Sequence, residues 1–368
     1  MTVLEQTARR QPIPSAALLL DAPALREEVA TVLTDFLAQR ARTAPGPETT
    51  LLFTTLSALL AGGKRLRAHL CLAGWKAGGG CGDRALVLRV AASLELFHAS
   101  ALIHDDVMDG SDLRRGRPTA HRALEAAFLA DGLQPRRAKA HGQAAALLLG
   151  DLALTQSDDL LRTGPGTEAL ARIQPLLETM RHQLAYGQYL DLVAAGRPCD
   201  DVEAALRIVR YKTASYTMEW PLRIGAALAG AGPEVHSVCS EFAIPLGEAF
   251  QLRDDLLGVF GDPSRTGKPV GDDIRAGKAT VLMALALQSA TAPDRQLLRN
   301  AVAAPDLTDD GIRRVREAIE RSGARRQVET MIAARRHEAL TALDGAPLPL
   351  PAAEALRRTA DMATVRQS

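Results

Sequence analysis

The chain has 368 residues, enough for one large domain or two of ordinary size. Hydrophobic residues make up 47% and aromatics only 4%, a mixture rich in Ala and Leu that favours helices over strands. Lys plus Arg total 44 against 43 Asp plus Glu, a net +1, so no global charge calls for nucleic acid or an anionic membrane.

Residues 1 to about 22 carry Pro12 and Pro14 with little periodicity and read as a flexible N-terminal tail. They contain no apolar core of signal-peptide length, and no later apolar run approaches the roughly 18 residues of a membrane span. A cytoplasmic protein without stable membrane insertion is the expectation. From Pro23 the spacing turns helical and stays so, with Asp21 placed to cap the first helix. Breaks fall at TAPGPE, KAGGGCGD, TGPGTE, AGRPCDD and GDPSRTGKPVGDD, separating helical segments of about 15 to 25 residues. APLPLPA, near residue 346, reads as a late loop before a short terminal helix. No stretch has convincing strand periodicity, so residues 23–368 are expected to form a single all-α domain. Cys71, Cys81, Cys199 and Cys239 are scattered without a CxxC pair, which fits reduced thiols better than zinc or disulfides.

HDDVMDGSDLRRG, from His104 to Gly116, crowds Asp105, Asp106 and Asp109 behind an apolar run. On a helix from Val87, the residues Val90, Leu94, Phe97, Ala101 and Asp105 share one stripe, and Asp109 continues it. The same face passes from apolar to acidic, like a pocket with a greasy floor and a charged mouth. His98 looks roughly the same way. Asp105 and Asp109, at i and i+4, can approach one Mg²⁺, a cation that prefers oxygen ligands and keeps waters or phosphates. A solvated acidic helix end accounts for this motif equally well when it stands alone.

A second pair decides between the two. In FQLRDDLLGVFGD, Asp254 and Asp255 also follow an apolar helical run, with Gln251 on the same face and Pro245 placed to open the helix. Two such clusters facing one another would form a polynuclear metal site suited to a diphosphate. Cations complete the set: Lys64, Arg65 and Arg67 in GGKRLR, then Arg114, Arg115, Lys212, Lys268 and Lys278, with Thr213 beside Lys212. Singly each is more often a solvated surface charge; together they suit phosphate, Arg by bidentate contact and Lys as a point charge.

In this order, GGKRLR, LFHASALIHDDVMDGSDLRRGRPT, GQYLDL, YKT, FQLRDDLLGVFGD and GKP resemble the trans-isoprenyl diphosphate synthases (polyprenyl synthetases), over roughly Leu51 to Leu282. The resemblance implies an all-α, isoprenoid-synthase-type helical bundle around a deep central cavity, a homodimer, and Mg²⁺ as cofactor, about three ions with substrate bound. It implies that Asp105 and Asp109, supported by Asp106, and Asp254, helped by Asp255, hold the metal. Arg114, Lys212 and Lys268 would contact an allylic diphosphate. Lys64, Arg67, His98 and Arg115 would bind isopentenyl diphosphate, Thr213 and Gln251 would line the reacting centre, and Lys278 would add charge near the mouth. Two residues depart from the family pattern: Gly258 stands where many members carry a third Asp, and Ala68 where Pro is usual.

Ser100 and Ala101 are small where bulky aromatics stop family products at fifteen carbons. Phe97, one turn deeper and about 6 Å along the axis, could be the floor. A mainly twenty-carbon product, geranylgeranyl diphosphate, is expected, and Phe97→Ala should lengthen it. Asp105→Ala is expected nearly to abolish turnover at no cost in stability, since the aspartates repel one another. Two rivals remain at this level: a class I terpene cyclase, whose second metal motif DDLLGVFGD does not match, and a non-catalytic or partner-dependent subunit of a heteromeric prenyl synthase.

Overall fold

Apolar residues recurring every three or four positions make helices wherever the Gly- and Pro-rich punctuation allows. The computed structural model describes residues 22–80, 83–164, 166–261, 271–302, 304 and 307–364. Asp21, the preceding tail, Cys81, Asp262 and Lys268 lie outside the described residues. Strand geometry among the described residues is limited to Leu113–Arg114 paired antiparallel with Arg117–Pro118, a small hairpin that the sequence spacing did not signal.

The elements that build the cavity are α1 (Ala22–Arg42), α2 (Thr50–Leu60), α3 (Leu66–Ala77), α4 (Arg84–Met108), α5 (Ala120–Ala130), α6 (Pro135–Arg162), α7 (Thr167–Ala194), α8 (Val202–Ile208), α9 (Trp220–Leu228) and α10 (Pro233–Phe260). The short helix α11 (Asp272–Arg275) and α12 (Val281–Ser289) follow, then α13 (Ala292–Val302), α14 (Asp309–Ser322), α15 (Ala324–Thr341) and α16 (Leu350–Thr364). Several helices exceed the expected lengths: α6, α7 and α10 each run 28 residues. Pro245 does not open α10 but sits buried inside it, the helix having begun at Pro233. Packing on both sides outweighs the one backbone hydrogen bond that a proline removes.

α4 starts earlier than the spacing suggested, at Arg84, where Asp83 caps it by accepting from the Ala85 N–H at 2.8 Å. It is also more apolar than the sequence reading allowed. Its best window has a mean hydropathy of 1.6, long and apolar enough for a membrane span, yet 72% of that window is buried inside the bundle. Such burial is what a central core helix requires.

Between α8 and α9 the chain forms a π-helical segment, Val209–Glu219, a rare geometry often found at functional sites. One core gathers Val29, Leu70, Val90, Leu94, Ile103, Leu149 and Phe242. A second gathers Leu256, Val281, Leu298, Val315 and Ile332. α10 feeds both, through Phe242 and Leu246 on one side and Leu252, Leu256 and Val259 on the other. Cys71 and Cys239 are free and buried, and burial pushes both thiols up to about 12, so neither is a nucleophile.

Candidate active site

A cavity of about 2050 Å³ opens among α3, α4, α7, the π segment and α10. Its wall contains Lys64, Arg67, His98, Asp105, Asp109, Arg114, Arg115, Lys212, Thr213, Gln251, Asp254, Asp255 and Lys278, together with Phe97, Ser100 and Ala101. The sequence-predicted site residues within the described chain therefore converge, with one exception. Asp106 is 2% exposed and forms no part of the cavity wall. Instead it receives Arg114: Nε donates to both carboxylate oxygens at 2.9 Å and Nη2 to Oδ1 at 2.7 Å. Burial pushes the Asp106 carboxyl up despite Arg114.

Arg114 also reaches Asp105 Oδ2 at 3.3 Å, while Lys212 Nζ donates to Asp105 Oδ1 at 3.1 Å and Asp191 Oδ2 at 2.5 Å. Burial works against the Asp105 charge, but Lys212 and then Arg114 outweigh it and hold the carboxyl below its ordinary range. This corrects the expectation of unrelieved repulsion at the site: the protein's own cations already neutralise Asp105. At Asp109 the balance goes the other way: burial, then Asp105, push its carboxyl up and outweigh Lys278 and Lys212.

On the facing side, Thr213 Oγ1 donates to Gln251 Oε1 at 2.8 Å and Gln251 Nε2 donates to Asp255 Oδ1 at 2.7 Å. Burial, then Asp273, pushes Asp255 up to about 8. Asp254 is exposed on the cavity wall. Lys278 joins the two sides. Its Nζ pairs with Asp273 Oδ1 at 3.2 Å, and Asp273, Asp109 and Asp105 raise its affinity for its proton against the effect of burial.

The GGKRLR segment folds sharply at Arg65, which caps α3 in the left-handed region at φ 52°. Its guanidinium turns inward to Glu95 Oε2 at 3.2 Å and to the Leu60 carbonyl, while Glu95 Oε1 accepts from the Ala68 N–H at 3.3 Å. Arg65 thus belongs to the scaffold, and Lys64 and Arg67 on either side line the cavity. Arg67 donates to Thr217 Oγ1 at 2.6 Å and stacks over the Tyr216 ring at 4.2 Å. His98 Nδ1 lies 3.0 Å from the Tyr216 hydroxyl, and burial with Arg67 and Arg115 nearby keeps the ring neutral. Gly63 matters here: any Cβ would press on the Arg115 guanidinium, so the bare backbone lets Arg115 lie against Gly62 and Gly63.

Among the cavity residues that escaped the sequence reading are Arg181, Asp191, Tyr216 and Asp273. Asp191 lies in GQYLDL, where its spacing from Gln188 was the available signal. Tyr216 follows Lys212 by four residues in the π segment, and Asp273 sits just before Lys278. Arg181 carried no local signal. Asp273 also bears on Gly258, since a Cβ on that glycine would overlap Asp273 Oδ2. A carboxylate from α11 thus fills the space beside Gly258.

Among the described residues no three acidic, His or Cys side chains form a ready-made metal cage. The donor set nonetheless suits Mg²⁺, which takes one or two carboxylates and fills the rest of its octahedron with water and phosphate. Charge-bearing groups of both signs surround an apolar shaft, an arrangement suited to a ligand with an anionic head and a hydrocarbon tail.

A family model for polyprenyl synthetases matches residues 49–320. The chain belongs to the polyprenyl synthetase family and is a trans-prenyltransferase. Its structure superposes with a TM-score of 0.90 and 39% identity on geranylgeranyl pyrophosphate synthase from Corynebacterium glutamicum, a complex with isoprenyl diphosphate and magnesium, covering 94% of this chain and 100% of that one. It is 35% identical over 274 residues to geranylfarnesyl diphosphate synthase of Aeropyrum pernix, spanning 73% of this chain and 79% of the relative. It is 32% identical over 241 residues to octaprenyl diphosphate synthase of Escherichia coli, spanning 66% and 67%.

Proposed function

We propose that the chain condenses isopentenyl diphosphate head-to-tail (1'-4) with allylic diphosphates, with Mg²⁺ as cofactor and geranylgeranyl diphosphate as the main product. The observation that carries this reading is the single cavity shared by Asp105 and Asp109 of α4, Asp254 and Asp255 of α10, and six flanking cations. The relatives make products of different lengths, so the twenty-carbon assignment rests on the shaft beneath Asp105.

Asp105, Asp109 and Asp254 are the residues we assign to Mg²⁺, with Asp255, Asp191 and Asp273 around them. Mg²⁺ bound there would neutralise the diphosphate as it leaves. Arg114 and Lys212 contact the same diphosphate and favour its departure by holding positive charge where negative charge develops. Asp106 acts on the reaction through Arg114, which it orients. Lys268, outside the described residues, is assigned to this group by resemblance alone.

Lys64, Arg67, Arg115 and His98 form the second anion site, for isopentenyl diphosphate, and place its double bond beside the allylic carbon. Once the allylic C–O bond breaks, the double bond attacks the cation, and a proton passes to the released diphosphate. Thr213 and Gln251 border that centre. The apolar walls keep water from trapping the cation. A homodimer is part of the same proposal, and a monomer-sized species in sedimentation equilibrium would contradict it.

The test is to incubate the purified chain with Mg²⁺, labelled isopentenyl diphosphate and, separately, five-, ten- and fifteen-carbon allylic diphosphates, then to chromatograph the dephosphorylated alcohols. A twenty-carbon alcohol is the expected result. Elongation to another length would retain the chemistry and reject the assigned product. Absence of elongation with every primer would favour a cyclase or a partner-dependent subunit.

A further inference from the structure

Beneath the acidic mouth the wall is largely apolar, but it also contains a charged residue, Arg181. Two helices run beside the cavity in step: α4 carries Asp105, Ala101 and Phe97, and α7 carries Asp191, Leu184 and Arg181, all on the wall. Lys212 ties the upper ends together through Asp105 and Asp191. The lower ends meet where the Arg181 guanidinium carbon lies 5.4 Å from the Phe97 ring centroid. Phe97 lies about 12 Å below Asp105 at 1.5 Å per residue.

Phe97 is held from both sides. Its ring meets Tyr216 edge-on, centroids 5.8 Å apart and planes at 84°. Arg181 is in turn pinned to α6: Nη1 donates to Asp158 Oδ2 at 3.3 Å, Nη2 pairs with Asp158 Oδ1, and Ser157 Oγ lies 3.5 Å from Nη2. Arg181 Nε is buried without a hydrogen-bond partner. The guanidinium is therefore already partly desolvated.

A growing hydrocarbon tail that passes Ala101 meets the Phe97 ring first. To go further it must displace the ring and pack against a guanidinium. That strips remaining water from the Arg181–Asp158 pair and returns no hydrogen bond, an unfavourable exchange for a charged group. Steric closure by Phe97 alone could be relieved by a rotamer change. The ion pair behind it cannot be made apolar by any rotamer.

We infer that Arg181, pinned by Asp158 and Ser157, closes the end of the product shaft and sets the maximum chain length together with Phe97. The inference rests on the proposed elongation activity and names a residue that determines its specificity. It also revises what Phe97→Ala alone should do: the ion pair stays in place behind the vacated ring, so the single variant opens less of the shaft than the lost ring volume suggests.

The experiment compares product alcohols from the wild-type chain, Arg181→Leu, Arg181→Met, Arg181→Lys, Phe97→Ala and the Phe97→Ala/Arg181→Leu pair, each checked for folding by circular dichroism. Arg181→Leu and Arg181→Met should shift the main product by at least one five-carbon unit, the double variant should exceed Phe97→Ala, and Arg181→Lys should keep the wild-type length. An unchanged product distribution in folded, active Arg181→Leu and Arg181→Met overturns the inference, as does a double variant no longer-reaching than Phe97→Ala. Loss of the fold in both would assign the ion pair to stability and overturn it equally. A wild-type chain that elongates nothing would instead reject the proposed function.

Discussion

Asp273 occupies the space that a side chain at Gly258 would need, its Oδ2 lying where the Cβ would be. The two positions are therefore alternatives: an acidic group can come from α10 or from α11 at this point. Restoring the family's usual residue by Gly258→Asp should damage the protein. Both Gly258→Asp and Gly258→Ala should lose about 1–3 kcal/mol of stability through overpacking, read as a lower Tm. A Gly258→Asp chain with unchanged Tm and higher turnover would show that Asp273 moves aside freely.

Asp105 is charge-paired before any ligand arrives. Asp105→Ala should lower turnover by about 10²-fold or more, and it should also cost about 1–3 kcal/mol, because Lys212 and Arg114 lose a partner. Chemical denaturation measures the second effect. Stability equal to or above that of the wild type would restore the view that the aspartates merely repel one another.

The two acidic groups should oppose each other in pH dependence. Asp105 is held low, so its contribution to stability is present above the unfolded carboxylate pKa and fades as pH falls through the folded value. Asp255 is held up to about 8, so its effect has the other sign: stability is fully present below about 3.8 and declines as pH rises toward 8. Asp255→Asn should flatten the decline between pH 5 and pH 8 and raise Tm at pH 8 by about 2 °C or more. An identical Tm profile for the two proteins in metal-free buffer would refute the raised pKa.

Glu95 holds α3 by its Ala68 N–H and holds Arg65 by its guanidinium, both out of solvent. Glu95→Gln should loosen the segment that presents Lys64 and Arg67. The KM for isopentenyl diphosphate should rise several-fold more than the KM for the allylic primer, alongside a stability loss of about 3–5 kcal/mol for a broken buried pair. Equal effects on both substrates would mean the pair has no selective influence on the anion site.

The elements carrying strong periodicity were legible from the residues alone, and so was the convergence of Asp105, Asp109 and Asp254, because helix geometry fixes which side chains share a stripe. The place of Asp106 off the cavity wall was not legible, because adjacency in sequence hides a rotation of about 100° around the helix axis. That rotation turns Asp106 off the wall and toward Arg114. Pro245 looked like a helix start because its backbone effect is local, while the packing that overrides it comes from elements far along the chain. Arg181 and Asp158 lie on different helices, 23 positions apart, so their pairing exists only in the folded chain.

The Asp105–Lys212–Asp191 bridge has a further consequence. On the proposed reading, lysine and arginine hold in the free protein the place that metal would take at the carboxylates, and the carboxylates hold the place that phosphate would take at the lysine and arginine. Arrival of a metal–diphosphate complex is then a change of partners, each charge handed from one counter-ion to another at nearly constant local sum. Metal and diphosphate should each bind poorly alone and well together. The encounter should also depend only weakly on ionic strength, as befits a chain whose net charge is +1.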